Sequence, residues 1–109
     1  MLTNNRWRIE LQVMQENYRK VFSPYRNGDQ IGFTGQVLFK GVLYQINAQG
    51  SVSQYPQAEP GVYMNPHPET HHWINDNRLC YIRDSAWNPA ASTFASCVAV
   101  AIKYIRRFG

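Results

Sequence analysis

The sequence predicts an α+β fold of two layers, with helices covering one face of a small antiparallel meander. Two observations carry this: apolar stripes at helical spacing lie near both ends of the chain, and β-forming segments punctuated by turn residues lie between them. The 109 residues suit a single domain, 1–109, built around one core.

The first stripe is Trp7, Leu11, Met14, Tyr18 and Val21, spaced i, i+4, i+7, i+11 and i+14, which predicts a helix of about four turns. In FSPYRNGDQ, Pro24 and the Asn27-Gly28 pair then mark a loop. IGFTGQVLF and GVLYQINAQ read as a hairpin turning at Lys40-Gly41, with Val42, Tyr44 and Ile46 on one face and Leu43 and Gln45 on the other. The stretch GSVSQYPQAEPG is turn-rich, and Val62, Tyr63 and Met64 make a third short strand. NPHPETHHW reads as irregular, because Pro66 and Pro68 cannot donate to a ladder. Phe94, Val98, Ala101, Ile102 and Ile105 predict a closing helix over 92–107, capped either by Asn88 with Pro89 at its first position or by Ser92. Lys103, Arg106 and Arg107 complement the negative end of its dipole.

Composition excludes several classes. A 44% hydrophobic content with 17% charged residues argues against disorder. No run approaches the roughly 18 apolar residues of a membrane span, and MLTNNRWRIELQV lacks the apolar core of a signal peptide, so a cytoplasmic protein without membrane association is expected. The net charge of +4 is spread without a long basic run, so a basic surface facing an acidic protein partner is a better expectation than nucleic-acid binding. Cys80 and Cys97 are expected as reduced thiols; Cys97, beside the apolar stripe of the last helix, reads as core.

The chemistry concentrates in HWINDNRLCYIRDSAWNP, residues 72–89. A cysteine with a histidine eight residues before it and Trp-Asn-Pro after it admits three readings: core packing, half a metal site, or a nucleophile with its helper. Only Leu79, Tyr81 and Ile82 are apolar neighbours of Cys80, while Arg78 and Arg83 bracket it and favour a thiolate, the nucleophilic form. Asp76-Asn77 supplies turn chemistry just before it. His67, His71 and His72 raise a zinc alternative, but adjacent histidines point to opposite sides of an extended segment and no Cys-x-x-Cys or His-Glu-x-x-His spacing occurs, so no metal and no cofactor are expected. His67 and His71 read as solvated.

The order Tyr55-Pro56, Pro60, Val62, His72, Leu79-Cys80 and Trp87-Asn88-Pro89 followed by a helix resembles the ubiquitin-conjugating enzyme family over roughly residues 31 to 108. In that family a Tyr-Pro with further prolines and a valine enters a strand, the active-site cysteine follows about 25 residues after the tyrosine, and a Trp-Ser-Pro leads into a helix. The resemblance implies the family's two-layer fold and an acyltransferase in which Cys80 is the nucleophile. His72 stands where eukaryotic members carry the asparagine of a His-Pro-Asn motif, and Thr70 where its histidine would be. His72 eight residues before Cys80, with Leu79 directly before the cysteine, is closer to bacterial relatives found in antiphage defence and ubiquitin-like operons. The resemblance therefore implies catalytic roles for Cys80 and His72, a weaker one for Asp84, and a wall of Trp87 and Pro89. The implied partner is a protein C-terminus: that of a cGAS-like cyclic-oligonucleotide nucleotidyltransferase by preference, or that of a ubiquitin-like protein.

Overall fold

A computed structural model of the chain describes residues 1–68, 74–75, 78–79 and 87–109. The architecture is α+β, with an N-terminal helix, an antiparallel sheet and a C-terminal helix. Helix α1 spans Asn4–Tyr18 and helix α2 spans Phe94–Phe108. Between them run β1 (Phe22–Asn27), β2 (Gln30–Phe39), β3 (Val42–Ser51), β4 (Gly61–Asn65), β5 (Ile74–Asn75) and β6 (Arg78–Leu79), in sheet order β1-β2-β3-β4-β6-β5. Both helices pack on one face of the sheet, α1 toward β1 and α2 across β2, β3 and β4.

Helix α1 starts where the Thr3 side chain accepts the Arg6 N–H at 3.0 Å. Met14 is buried, and Trp7, Leu11 and Tyr18 pack against the same core, so the expected stripe faces inward. The helix stops one turn early. Lys20 takes a left-handed φ of 67°, the Val21 N–H donates to Tyr18 O, and Val21 is left exposed. The reason is tertiary: residues from Phe22 onward find backbone partners in β2.

That pairing corrects the expected loop. Phe22–Asn27 is a strand in register with β2 from Phe22↔Gly35 to Asn27↔Gln30. Pro24 is tolerated because β1 is an edge strand, where a missing N–H can face outward. The Asn-Gly punctuation is a hairpin turn, with Gly28 at φ +61° in the first central position, as a type II′ turn requires. The second hairpin closes at Lys40-Gly41 as expected, with φ of 50° and 80° matching a type I′ turn.

Alternation along β3 buries Tyr44, Ile46 and Ala48 and exposes Leu43 and Gln45; Val42, at the hairpin tip, shares the inner face but remains exposed. Strand β4 covers the expected third strand and pairs with β3 from Gln45↔Asn65 to Gln49↔Gly61. The stretch between the third strand and the last helix, where no strand was expected, contributes β5 and β6, the latter pairing Leu79 with Val62 and Arg78 with Tyr63.

Helix α2 is capped by neither Asn88 nor Ser92. Thr93 is the cap: its side chain accepts the Ser96 N–H, and the Ser96 hydroxyl accepts the Thr93 N–H, a reciprocal capping box. Asn88 instead opens a separate turn, accepting the Ser92 N–H on its carbonyl at 2.7 Å and the Ala90 N–H on its side chain at 3.0 Å. Phe94, Val98, Ala101 and Ile105 are buried as expected, and Cys97 is core at 2% exposure. Aromatic packing joins the layers, with the Phe94 ring 5.4 Å from Phe33 and 4.7 Å from Tyr55. Among the described residues, no helix is long and apolar enough to cross a membrane.

Candidate active-site frame

The two catalytic residues expected from the sequence, Cys80 and His72, lie outside the described residues, as do Thr70, His71, Asp84 and Arg83. The structure describes what surrounds that stretch in the chain. Leu79 is buried on β6 against Val62, one residue before Cys80. Trp87 follows the stretch on its other side, half-buried.

Trp87 is held by the Tyr-Pro segment. Its indole Nε1–H donates to Pro56 O at 2.7 Å, and its ring lies 5.7 Å from that of Tyr55. The two motif segments, 31 residues apart in sequence, are thus in direct contact. Tyr55 is fully buried and stacks between Trp87 and Phe94.

Beneath this contact lies a carboxylate that sequence reasoning missed. Glu10 is fully buried. One carboxylate oxygen, Oε1, accepts the Phe94 N–H at 2.9 Å; the other accepts the Tyr55 hydroxyl at 2.6 Å and Arg6 Nε at 2.7 Å. Arg6 then donates Nη1 to Pro89 O at 2.8 Å and Nη2 to Ser92 O at 2.6 Å. A buried carboxylate is tolerable only when its lone pairs and charge are this fully matched. Burial, followed by the neighbouring Glu10 carboxylate, pushes the Tyr55 phenol well above its ordinary range. Glu10 occupies the N-terminal end of α2, where the helix dipole favours an anion, and Arg6 ties down the chain leading into that end.

A signal for this hub was present in the sequence. Glu10 is three residues after Trp7 and four before Met14, so helical spacing places it at the buried stripe, and Arg6 stands four residues earlier. The far end of that pair, the Phe94 N–H, is a long-range partner that no local pattern specifies.

Other expected groups fall elsewhere. Arg78 is exposed on β6, with its Nε 3.3 Å from where a Cβ on Gly61 would stand. Its charge partly opposes the burial that pushes the Glu59 carboxyl up. His67 is half-buried rather than fully solvated, with Nδ1 3.0 Å from Pro68 O. No group of three or more His, Cys, Asp or Glu side chains converges among the described residues.

Among the described residues, the contribution of the frame is positional. β6 is fixed to β4 on one side of residues 80–86, and Trp87 to Pro56 on the other, with the Arg6–Glu10 pair locking the chain that follows. No family model, curated protein or solved structure matches the chain.

Proposed function

We propose that the chain is a ubiquitin-conjugating-like cysteine acyltransferase with Cys80 as nucleophile and His72 as its helper. The observation that supports this best is the contact of Trp87 with Tyr55 and Pro56, which joins the two sequence segments that bracket Cys80 in the family pattern. The order of an N-terminal helix, an antiparallel meander and a C-terminal helix agrees with that family's general shape; the finer identity of the fold belongs to the same proposal.

In this reading the Cys80 thiolate attacks the carbonyl carbon of an activated C-terminal carboxyl group, an acyl adenylate or a thioester. The leaving adenylate or thiolate departs, and a thioester forms on sulfur. An acceptor amine then attacks that carbonyl, an amide bond forms, the C–S bond breaks, and the amine proton passes to a base. His72 donates to the oxyanion or takes that proton, both within the range of an imidazole near neutral pH. The favoured acyl donor is the C-terminus of a cGAS-like cyclic-oligonucleotide nucleotidyltransferase in bacterial antiphage defence, acting in the cytoplasm; the alternative is a ubiquitin-like protein.

The test is adduct formation with the candidate partner and its activating enzyme. Wild type and Cys97→Ser form an adduct released by thiol reductant, and Cys80→Ser forms a reductant-resistant ester or none. An adduct lost in Cys97→Ser but kept in Cys80→Ser defeats the assignment. Full biological activity in Cys80→Ala would point instead to a catalytically silent binding module of the same fold.

A further inference from the structure

Strands β2 and β3 are longer than their neighbours. Pairing with β1 begins at Gly35, and pairing with β4 ends at Gln45, whereas β2 and β3 continue to pair with each other as far as Phe39↔Val42. Residues 37–44 therefore project as a two-stranded ribbon beyond the rest of the sheet. Neither edge of this ribbon is paired with another strand among the described residues. Bare edges present backbone donors and acceptors suited to an added strand.

The two faces of the ribbon differ. On the outer face, away from the helices, Leu38 and Leu43 are cross-strand partners and are 68% and 50% exposed, the most exposed apolar pair on the sheet. On the inner face stands the end of α2: its cap Gly109 lies against Phe39 and the Tyr44 hydroxyl, and its last turn carries Arg106 and Arg107. Lys40 caps the tip, Lys103 sits one turn back on α2, and α1 ends beside Arg106 with Arg19 and Lys20. Residues 30–58 and 85–109 contain no Asp or Glu, so the ribbon and α2 contribute cations alone. The outer face of the ribbon is apolar, and its inner face, where Val42 is also exposed, borders the basic end of α2.

We propose that this ribbon is a docking edge for an extended segment of a protein partner whose residues alternate between apolar and acidic. Side chains of a strand point to opposite faces in alternation, so such a segment added to the β2 edge would lay its apolar residues beside Leu38, with Leu43 one strand further in, and its carboxylates on the side of the basic end of α2. Charge complementarity selects this occupant over a second copy of the basic chain, and the alternation selects it over a flat membrane or a phosphate backbone. The α2 helix separates this edge from the frame around Trp87 by about 22 Å, at about 1.5 Å per residue. The edge stands independently of the proposed acyl transfer.

The test uses a short capped peptide alternating valine and glutamate, titrated into the isotopically labelled full chain and followed by backbone amide shifts. Shifts concentrated at residues 36–44 and 103–109 are expected, with affinity falling at least about 10-fold between low and 0.5 M salt. Leu38→Ser with Leu43→Ser removes the response, as does Arg106→Glu with Arg107→Glu; all four positions are exposed, and an unchanged amide spectrum elsewhere shows that the fold survives. An equal response to a valine–lysine peptide, shifts elsewhere, or no response overturns the proposal. So does binding of phosphatidylserine vesicles or duplex DNA through the same residues, or a dimer that Leu38→Ser dissolves.

Discussion

The Glu10 carboxylate of α1 accepts the backbone N–H of Phe94, the first residue of α2, at 2.9 Å across 84 residues of sequence. One side chain thus supplies a partner for a helix-end donor, a counter-ion for Arg6 and an acceptor for Tyr55. Glu10→Ala leaves Arg6, Tyr55 and the Phe94 N–H without that partner; because Arg6 is part-exposed and keeps its bonds to Pro89 O and Ser92 O, the cost should lie at or below the lower end of the about 3–5 kcal/mol for breaking a buried ion pair. Urea unfolding should show that loss, and Glu10→Gln should lose less, because its carbonyl oxygen still accepts. A double-mutant cycle with Arg6→Met should give a coupling energy well above that of an exposed pair.

The raised phenols set the alkaline limit. Tyr55 is held neutral by burial and then by Glu10, and burial also raises Tyr18 and Tyr25. Their unfolded counterparts ionise near pH 10. Above that pH the unfolded chain releases protons that the folded chain retains, so the contribution of these tyrosines to stability is constant below about pH 10 and falls as pH rises beyond it. Tyr55→Phe removes the largest of these contributions. It should flatten the alkaline fall in denaturation midpoint while lowering stability at pH 7 by about 1–3 kcal/mol through the unpaired Glu10 lone pair.

Gly32 marks a close approach on the outer sheet face. A Cβ there would collide with Ala48 O and would stand 2.7 Å from the Tyr25 hydroxyl, which crosses the glycine to donate to Asn47 Oδ1 at 2.8 Å. Gly32→Ala should therefore destabilise by about 1–3 kcal/mol despite its favourable backbone entropy. Tyr25→Ala relieves only the side-chain part of the collision, so the pair of substitutions should remain less stable than Tyr25→Ala alone.

Cys97 offers a clean probe of opening. It is 2% exposed on α2. In a Cys80→Ser background, thiol labelling should proceed only as fast as the fold opens, and should accelerate in Glu10→Gln in proportion to its lost stability. Labelling at the rate of a free thiol in the native state would contradict the burial of this residue.

Much of this architecture is readable from residues alone. The stripes Trp7–Leu11–Met14 and Phe94–Val98–Ala101–Ile105, the Lys40-Gly41 turn and the strand at Val62–Met64 all appear where periodicity places them. What failed to read were features decided at long range. Phe22–Asn27 carries a proline and a turn signal, and only the edge position beside β2 makes it a strand. The lead-in to the Thr93 cap is held by Arg6 of α1, which donates to the Pro89 and Ser92 carbonyls from more than 80 residues away in sequence. In the candidate site, Tyr55-Pro56 and Trp87 are in contact, a long-range pairing that no local pattern specifies, whereas Cys80 and His72 lie outside the described residues.

The Glu10–Phe94 bond also bears on synthesis. A chain made from its N-terminus contains Glu10 well before residue 94 is added, so the Glu10 carboxylate gains its Phe94 partner only late in synthesis. The arrival of Phe94 supplies the missing donor, which makes final closure of the core contingent on late translation and couples the first helix to the last in one cooperative step.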